Sequence, residues 1–382
     1  MLSECYHPIR NGVVTSVATF SNTLRKRGNK VTILTSDNKN KNIYHDKKNM
    51  VYRFPSLTLP MKTGYPLPIP IIDSKLSKVI YENDFDLLHS QSLMTMGQVA
   101  KNICKKRKLP LVFTYHTLIE ECAHYIPILP SDTVSNVARD ISYKYCMSAD
   151  HVIVPSDHVY DKLKELGVTT KISVVPTGIC LNEIDETPVG DLTKYGIPAG
   201  AKTIVYAGRF AVEKNIPMLL NAFEALAGMM KDVHLLMVGG GPLYDECLEE
   251  YRYSPIADRI HFTDYLPKPE VLSIFKAADI MLFTSYSETQ GLVFAESMAS
   301  NTPVVATDSL AAKEIIESGV HGILSKNNKT SIANSCREIL TNDDLYRSLQ
   351  TAARKRAEEY DTELMTDKLL SVYDSVLQSK RK

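Results

Sequence analysis

The sequence lacks most of the features that would place it at once. It has no net charge, with 44 Lys and Arg against 44 Asp and Glu in 382 residues. A balance of zero argues against a generic polyanion binder, so nucleic acid is not an expected partner. No apolar run approaches the roughly 18 residues that a membrane-spanning helix needs. The amino terminus lacks the basic-then-apolar pattern of a signal peptide. The seven cysteines (Cys5, Cys104, Cys122, Cys146, Cys180, Cys247 and Cys336) are odd in number, widely spaced and without a C-x-x-C. That excludes a disulfide framework and a thiolate zinc site and points to reduced thiols. Neither G-x-G-x-x-G nor G-x-x-x-x-G-K-[ST] occurs, which removes the dinucleotide fingerprint and the P-loop. No internal repeat or low-complexity block is found. The expected setting is cytoplasmic, with peripheral contact at the inner face of a membrane left open.

What is present is an ordinary globular composition, 44% hydrophobic and 23% charged, at a length that suggests two domains. The zero charge hides an asymmetry. Residues 1–180 hold 23 basic and 15 acidic side chains, a balance of +8, and the remainder carries −8. Short apolar runs alternate with amphipathic segments, the βαβ signature of parallel sheets covered by helices. Strands are expected at Val31–Thr35, Leu87–Ser90, Leu111–Tyr115, His151–Pro155 and Ile172–Pro176 in the first half. In the second half they are expected at Thr203–Ala207, His234–Val238, Arg259–Phe262, Ile280–Thr284 and Pro303–Ala306. Residues Asp185–Ala201, rich in Gly and Pro, read as an interdomain linker. Only Met1–Glu4 precedes the loop Cys5–Gly12, so either the numbering begins inside the opening strand or that strand is very short for a doubly wound domain.

Four segments carry chemistry. In Phe283–Glu296 a strand ends near Thr284, a loop holds Glu288 to Gly291, and a helix follows with Glu296 on it. Ligands of open α/β sheets bind outside the carboxyl ends of strands, and helix N-termini suit phosphate oxygens. Two glutamates eight residues apart are, by themselves, more readily a helix cap and a solvated charge. In Val205–Asn215, Arg209 and Lys214 bring a planar fork and a point charge to a strand end, which suits a diphosphate. Taken alone, a surface pair with Glu213 explains them better. Gly12, after Asn11, lets a backbone approach a ligand at the start of a helix. Gly239-Gly240-Gly241 reads as a turn. His116 ends a strand, where it can bind a sugar hydroxyl or move a proton. His116, Glu120 and His124 imitate a metal site by spacing, but H-E-x-x-H is missing.

Taken in order, these segments resemble the family-4 retaining glycosyltransferases of the GT-B fold, over almost the whole chain. Glu288 and Glu296 match the family's E-x7-E. Ala207-Gly-Arg209 with Lys214-Asn215 is similar to its diphosphate segment. Val154-Pro-Ser156 and Val175-Pro-Thr177-Gly178-Ile179 match two further landmarks. The resemblance implies an α/β protein of two Rossmann-like, doubly wound domains facing a central cleft. It places an acceptor domain at 1–180, a donor domain at 181–362, and a helix at 363–382 returning to the first. It implies a nucleotide-sugar donor, no cofactor and no metal. Carried over by position, Arg209 and Lys214 neutralise the diphosphate and Glu296 binds the ribose. Glu288 with Thr289, Gln290, Gly291, Leu292 and Val293 holds the donor sugar and phosphates. Gly12 offers amides to the diphosphate, and His116 contacts the sugar near the reaction centre. The sole D-x-D, Asp84-Phe-Asp86, enters a strand at its amino end. One departure stands at Thr307–Ala312, where relatives often carry a glycine pair.

The first domain selects the acceptor in this fold. Asn11–Ser16 with His116, Glu120, Glu121, His124, Tyr125 and Pro127 resembles the diacylglycerol glucosyltransferase branch, which implies a hexose such as glucose from a UDP donor and a lipid acceptor. Lys101, Lys105, Lys106, Arg107 and Lys108 crowd one helix end. Residues 54–72 form an apolar, proline-rich stretch. Each Lys or Arg near an anionic leaflet contributes about 1 kcal/mol, enough in sum for reversible attachment. A small soluble acceptor, an epimerase acting on the same donor, or a silent binding protein remain as other readings.

Overall fold

The computed structural model describes residues 1–37, 45–46, 50–58, 66–69, 74–116 and 131–381. They fall into two compact units, Met1–Gly178 with Thr362–Lys382, and Ile179–Asp361. On these boundaries the charge asymmetry persists. The first unit holds 27 basic and 18 acidic residues, a balance of +9, and the second therefore carries −9.

The first unit runs α1 (Gly12–Lys26), β1 (Ile33–Ser36), β2 (His45–Asp46), β3 (Val51–Phe54), β4 (Ser56–Thr58), β5 (Pro66–Pro68), α2 (Ser74–Glu82), β6 (Leu88–Ser90), α3 (Thr95–Arg107), β7 (Leu111–Thr114), α4 (Ser131–Cys146), β8 (His151–Val154), α5 (Asp157–Glu165) and β9 (Ile172–Val174). Strands pair in the orders β2–β1 through β3, and β6-β7-β8-β9. The opening strand is reduced to parallel bridges from Leu2 to Leu34 on β1 and to Ser90 on β6. Leu2 is fully buried, so the shortest strand lies in the middle of the sheet and joins its two parts. Within residues 54–72, whose described part is 54–58 and 66–69, β4 pairs antiparallel with β5. Two of its residues, Pro66 and Pro68, are prolines, which sheets tolerate at edges.

The second unit runs α6 (Leu181–Glu186), β10 (Lys202–Ala207), α7 (Ile216–Met229), β11 (Val233–Val238), α8 (Tyr244–Tyr251), β12 (Ile260–Thr263), α9 (Lys268–Ala277), β13 (Ile280–Phe283), α10 (Leu292–Ala299), β14 (Val304–Thr307), α11 (Leu310–Ile315), β15 (Gly322–Ser325), α12 (Lys329–Thr341) and α13 (Asp343–Glu358). Its sheet is parallel in the order β12-β11-β10-β13-β14-β15. Strands buried on both faces read as continuous apolar runs, and β11 and β13 are buried at every residue. The chain steps outward from β10 to β12, then returns to the other side of β10 at β13. That reversal is a topological switch point, and ligands of such sheets bind outside it.

The expected linker at Asp185–Ala201 is a packed part of the second unit. Gly190 N–H donates to Ser273 O at 2.9 Å, and a Cβ on Gly190 would stand 2.7 Å from that oxygen. Its glycine answers a close approach rather than chain mobility. After α13 the chain breaks at residues 359–361, and α14 (Thr362–Arg381) joins the first unit. Met365, Leu369, Val372 and Val376 recur at helical spacing along it and bury against Phe20, Leu24 and Val31. Arg27 on the neck of α1 binds Glu363 and Asp367 of α14.

Candidate active site

The switch point of the second unit gathers the strongest sequence signals. After β10 a 3-10 turn covers Val212–Lys214, and after β13 comes the loop to α10. Because β10 and β13 are neighbours, the two loops meet. Thr284 Oγ1 donates to the carbonyls of Lys214 (3.1 Å) and Asn215 (3.0 Å), and Ser285 Oγ donates to Glu213 O at 2.9 Å. Thr307 Oγ1 in turn donates to Ser285 O at 2.9 Å. Held so, Lys214 Nζ pairs with Glu288 Oε1, their side chains only 18% and 14% exposed. The partner of Lys214 is therefore Glu288, 74 residues away. The ammonium also lies 5.7 Å from the centre of the Phe283 ring.

Gly291 starts α10 in the left-handed region at φ 73° and gives it no side-chain cap. The first turn of such a helix presents backbone amides that suit an anion. Thr289 is half-buried and Gln290 is buried. Arg209 is half-buried beside Gly208. The glycine run that sequence reasoning passed over as a turn shapes this loop. A Cβ on Gly239 would stand 2.0 Å from Gly208 O, and one on Gly241 would stand 2.5 Å from Phe210 O and 3.0 Å from Arg209 Cγ. Phe210 N–H donates to Gly240 O at 2.9 Å. The buried Tyr206 hydroxyl fixes the loop from below through Arg209 O at 2.8 Å.

Glu296, on α10, pairs with Lys268 Nζ at 3.1 Å. Lys268 had no place in the sequence reading, because nothing in the chain marks a partner 28 residues away on another helix.

In the first unit, Asn11 caps α1 by accepting from Val14 N–H at 2.8 Å. Gly12 is exposed, and a Cβ built on it meets nothing within 4 Å. No protein neighbour demands the glycine. His116 follows β7, and its Nε2 lies 2.7 Å from Gln91 Oε1, behind β6. Burial lowers its imidazole to about 4. Gln91 is a second residue that the sequence reading missed. Its loop is clamped: Gln91 N–H donates to Leu2 O at 2.8 Å, and Glu4 Oε1 accepts from Met96 N–H at 2.8 Å. Burial raises the Glu4 carboxyl above its usual range. Glu120, Glu121, His124, Tyr125 and Pro127 lie outside the described residues.

The basic cluster lies at the end of α3. α3 begins after the carboxyl end of β6 and stops at Arg107, four residues before β7 begins at Leu111. Its last turn therefore sits at the amino edge of the sheet, opposite Gly12 and His116. Lys101, Lys105, Lys106 and Lys108 are exposed. Arg107 donates to Ile80 O and lies 5.5 Å from the Phe85 ring centre, so it ties α3 to α2. Asp84 and Asp86 are exposed at that same amino edge, ahead of β6.

Two family models match the chain. Residues 10–183 match the one described as Glycosyltransferase Family 4, and residues 191–356 match Glycosyl transferases group 1. An alpha-monoglucosyldiacylglycerol synthase of Streptococcus pneumoniae is 31% identical over 85% of this chain and 74% of its own. The chain belongs to the family-4 glycosyltransferases. A second alpha-monoglucosyldiacylglycerol synthase, from Acholeplasma laidlawii, is 24% identical over 100% of this chain and 98% of its own. Among solved structures, a sucrose-phosphate synthase from Thermosynechococcus elongatus aligns with TM-score 0.78 at 22% identity, over 97% of this chain and 94% of that one. Anabaena HepE, solved with UDP-glucose, aligns with TM-score 0.73 at 19% identity, over 98% of this chain and 99% of that one. These two establish the fold: each unit of this glycosyltransferase is a Rossmann-like domain of the GT-B kind. Among the described residues, no helix is long and apolar enough to cross a membrane.

Proposed function

We propose that this glycosyltransferase moves a glucosyl group from UDP-glucose to a diacylglycerol-type lipid, with retention at the anomeric carbon and without a divalent metal. The observation that carries the reading is the 31% identity to an alpha-monoglucosyldiacylglycerol synthase over 85% of the chain. The Lys214–Glu288 pair at the switch point supports it. Glu288 and the α10 amides hold the donor sugar and phosphates. Arg209 and Lys214 neutralise the diphosphate. As the bond from the anomeric carbon to the diphosphate breaks, negative charge grows on the departing oxygen while the sugar gains oxocarbenium character. Preorganised cations and amides at that oxygen stabilise it more than the ground state. The acceptor oxygen bonds to the anomeric carbon on the face being vacated, and its proton passes to the leaving phosphate. His116 is neutral at pH 7 and suits a hydrogen bond to a sugar hydroxyl. Gly12 leaves space for a ligand against the start of α1.

The first unit, at +9, takes the acceptor and rests on an anionic membrane surface through the exposed Lys101, Lys105, Lys106 and Lys108. The test is a mass-spectrometric screen of UDP- and GDP-sugars against a lipid extract and a soluble metabolite pool. A glucosylated diacylglycerol whose formation survives chelation by EDTA is the expected product. A second reading is supported by D-inositol 3-phosphate glycosyltransferases, of which one from Corynebacterium diphtheriae is 27% identical over 76% of this chain. It predicts a soluble product, formed at full rate without lipid.

A further inference from the structure

Lys268 stands where helix physics disfavours it. It is the first residue of α9, with Pro267 before it and Pro269 after it. A cation at a helix N-terminus opposes the macrodipole, so the helix itself gains nothing from this lysine. The side chain instead reaches α10, with Nζ 3.1 Å from Glu296 Oε1, while α6 packs against both helices. Glu183 on α6 adds a second carboxylate near the ammonium. Burial works to lower the Lys268 ammonium, but Glu296 and Glu183 outweigh it and hold it above the usual lysine value. Glu296 is only 15% exposed. A carboxylate so sheltered from water keeps one direction where a charged partner holds it.

We propose that Lys268 is a positioning residue for nucleoside recognition, holding the Glu296 carboxylate aimed so that it reads the ribose hydroxyls of the donor. The inference rests on the reading of Glu296 as the ribose ligand and goes beyond it by naming what makes that ligand selective. Lys268 contacts Glu296 through Oε1 alone in the recorded pair, which leaves Oε2 to accept from a sugar hydroxyl. A carboxylate free to wander would accept such bonds weakly, and ribose would lose its advantage over 2′-deoxyribose. The diphosphate contacts at Arg209 and Lys214 would be untouched.

The experiment is calorimetric titration of the full chain with UDP and 2′-deoxy-UDP, repeated with GDP and 2′-deoxy-GDP. Hydrogen bonds to charged groups set the expected wild-type preference for ribose at about tenfold or more. In Lys268→Met the ratio should fall to about threefold or less, while Lys268→Arg keeps it. A merely structural lysine would shift the melting temperature and weaken both nucleotides alike. A Lys268→Met protein that folds and keeps the wild-type ratio overturns the inference, as does loss of the ratio in Lys268→Arg. Should Lys268→Met fail to fold, Lys268→Gln is read on the same terms. Equal binding of the two sugars by the wild type overturns the reading of Glu296 itself, before any variant is examined.

Discussion

The pairing of Lys214 with Glu288 separates stability from catalysis in one set of variants. Their side chains are 18% and 14% exposed, so removing either charge strands the other in a largely dry site. Breaking a fully buried pair costs about 3–5 kcal/mol. The remaining solvent contact reduces this to about 2–3 kcal/mol. In a unit of this size that lowers the melting temperature by about 5–10 °C. Lys214→Met and Glu288→Met should each show that loss. The double variant should recover most of it, because neither charge is then left unpaired and the new side chains pack beside Phe283. Activity should behave otherwise. Each single variant loses a contact to the donor and should fall about 100-fold or more in kcat/KM. The double variant should be no better. Thermal melts and initial rates with labelled donor measure both. A double variant as unstable as the sum of the singles would refute the burial argument. One that regains activity would refute the assignment of the pair to the donor.

Other outcomes follow from single positions. Gly291→Ala places a Cβ 2.5 Å from the Phe294 ring at φ 73°, so it should destabilise by about 1–3 kcal/mol and raise the KM for donor, as melts and rates would report. Gln91→Ala removes the partner of His116 Nε2 and should lower kcat about fivefold with little change in melting; an unchanged kcat would detach Gln91 from the reaction. Burial holds both His116 and His151 at about 4, below the ordinary value of about 6.5. Between those limits the unfolded chain binds more protons, so stability present above pH ~6.5 is lost as the pH falls towards ~4. His116→Asn should make that acid limb shallower in melts recorded against pH. Charge reversal at Lys101, Lys105 and Lys108 should abolish sedimentation with anionic vesicles and leave the rate on detergent-dispersed acceptor unchanged. Equal sedimentation with neutral vesicles at low salt would sink the electrostatic attachment.

The parts of this protein that were legible in its sequence are those fixed by local rules. Parallel strands buried on both faces leave uninterrupted apolar runs, and the ten expected strands each coincide with an observed one to within a few residues. The missed strands β2, β3, β4, β5 and β15 are two to four residues long. β5 holds Pro66 and Pro68 and β15 opens on Gly322, so neither writes an apolar run. Composition misled where packing explained it. The glycines and prolines of 185–201 suggested an interdomain linker, but a side chain at Gly190 would meet the Ser273 backbone. The same holds for Gly239 and Gly241, whose missing side chains make room for the Arg209 loop. Charge was legible as a quantity but not as a place. The lysines of α3 are as exposed as expected, yet the direction of the helix carries them to the amino edge, and no local pattern encodes that. The site divides in the same way. Glu288 and Lys214 each sat in a recognisable segment, but their contact depends on β13 returning beside β10, a fact of topology. Lys268 and Gln91 have no segment at all to announce them. Each contacts a neighbour on another element, and such contacts become visible only once the elements are packed.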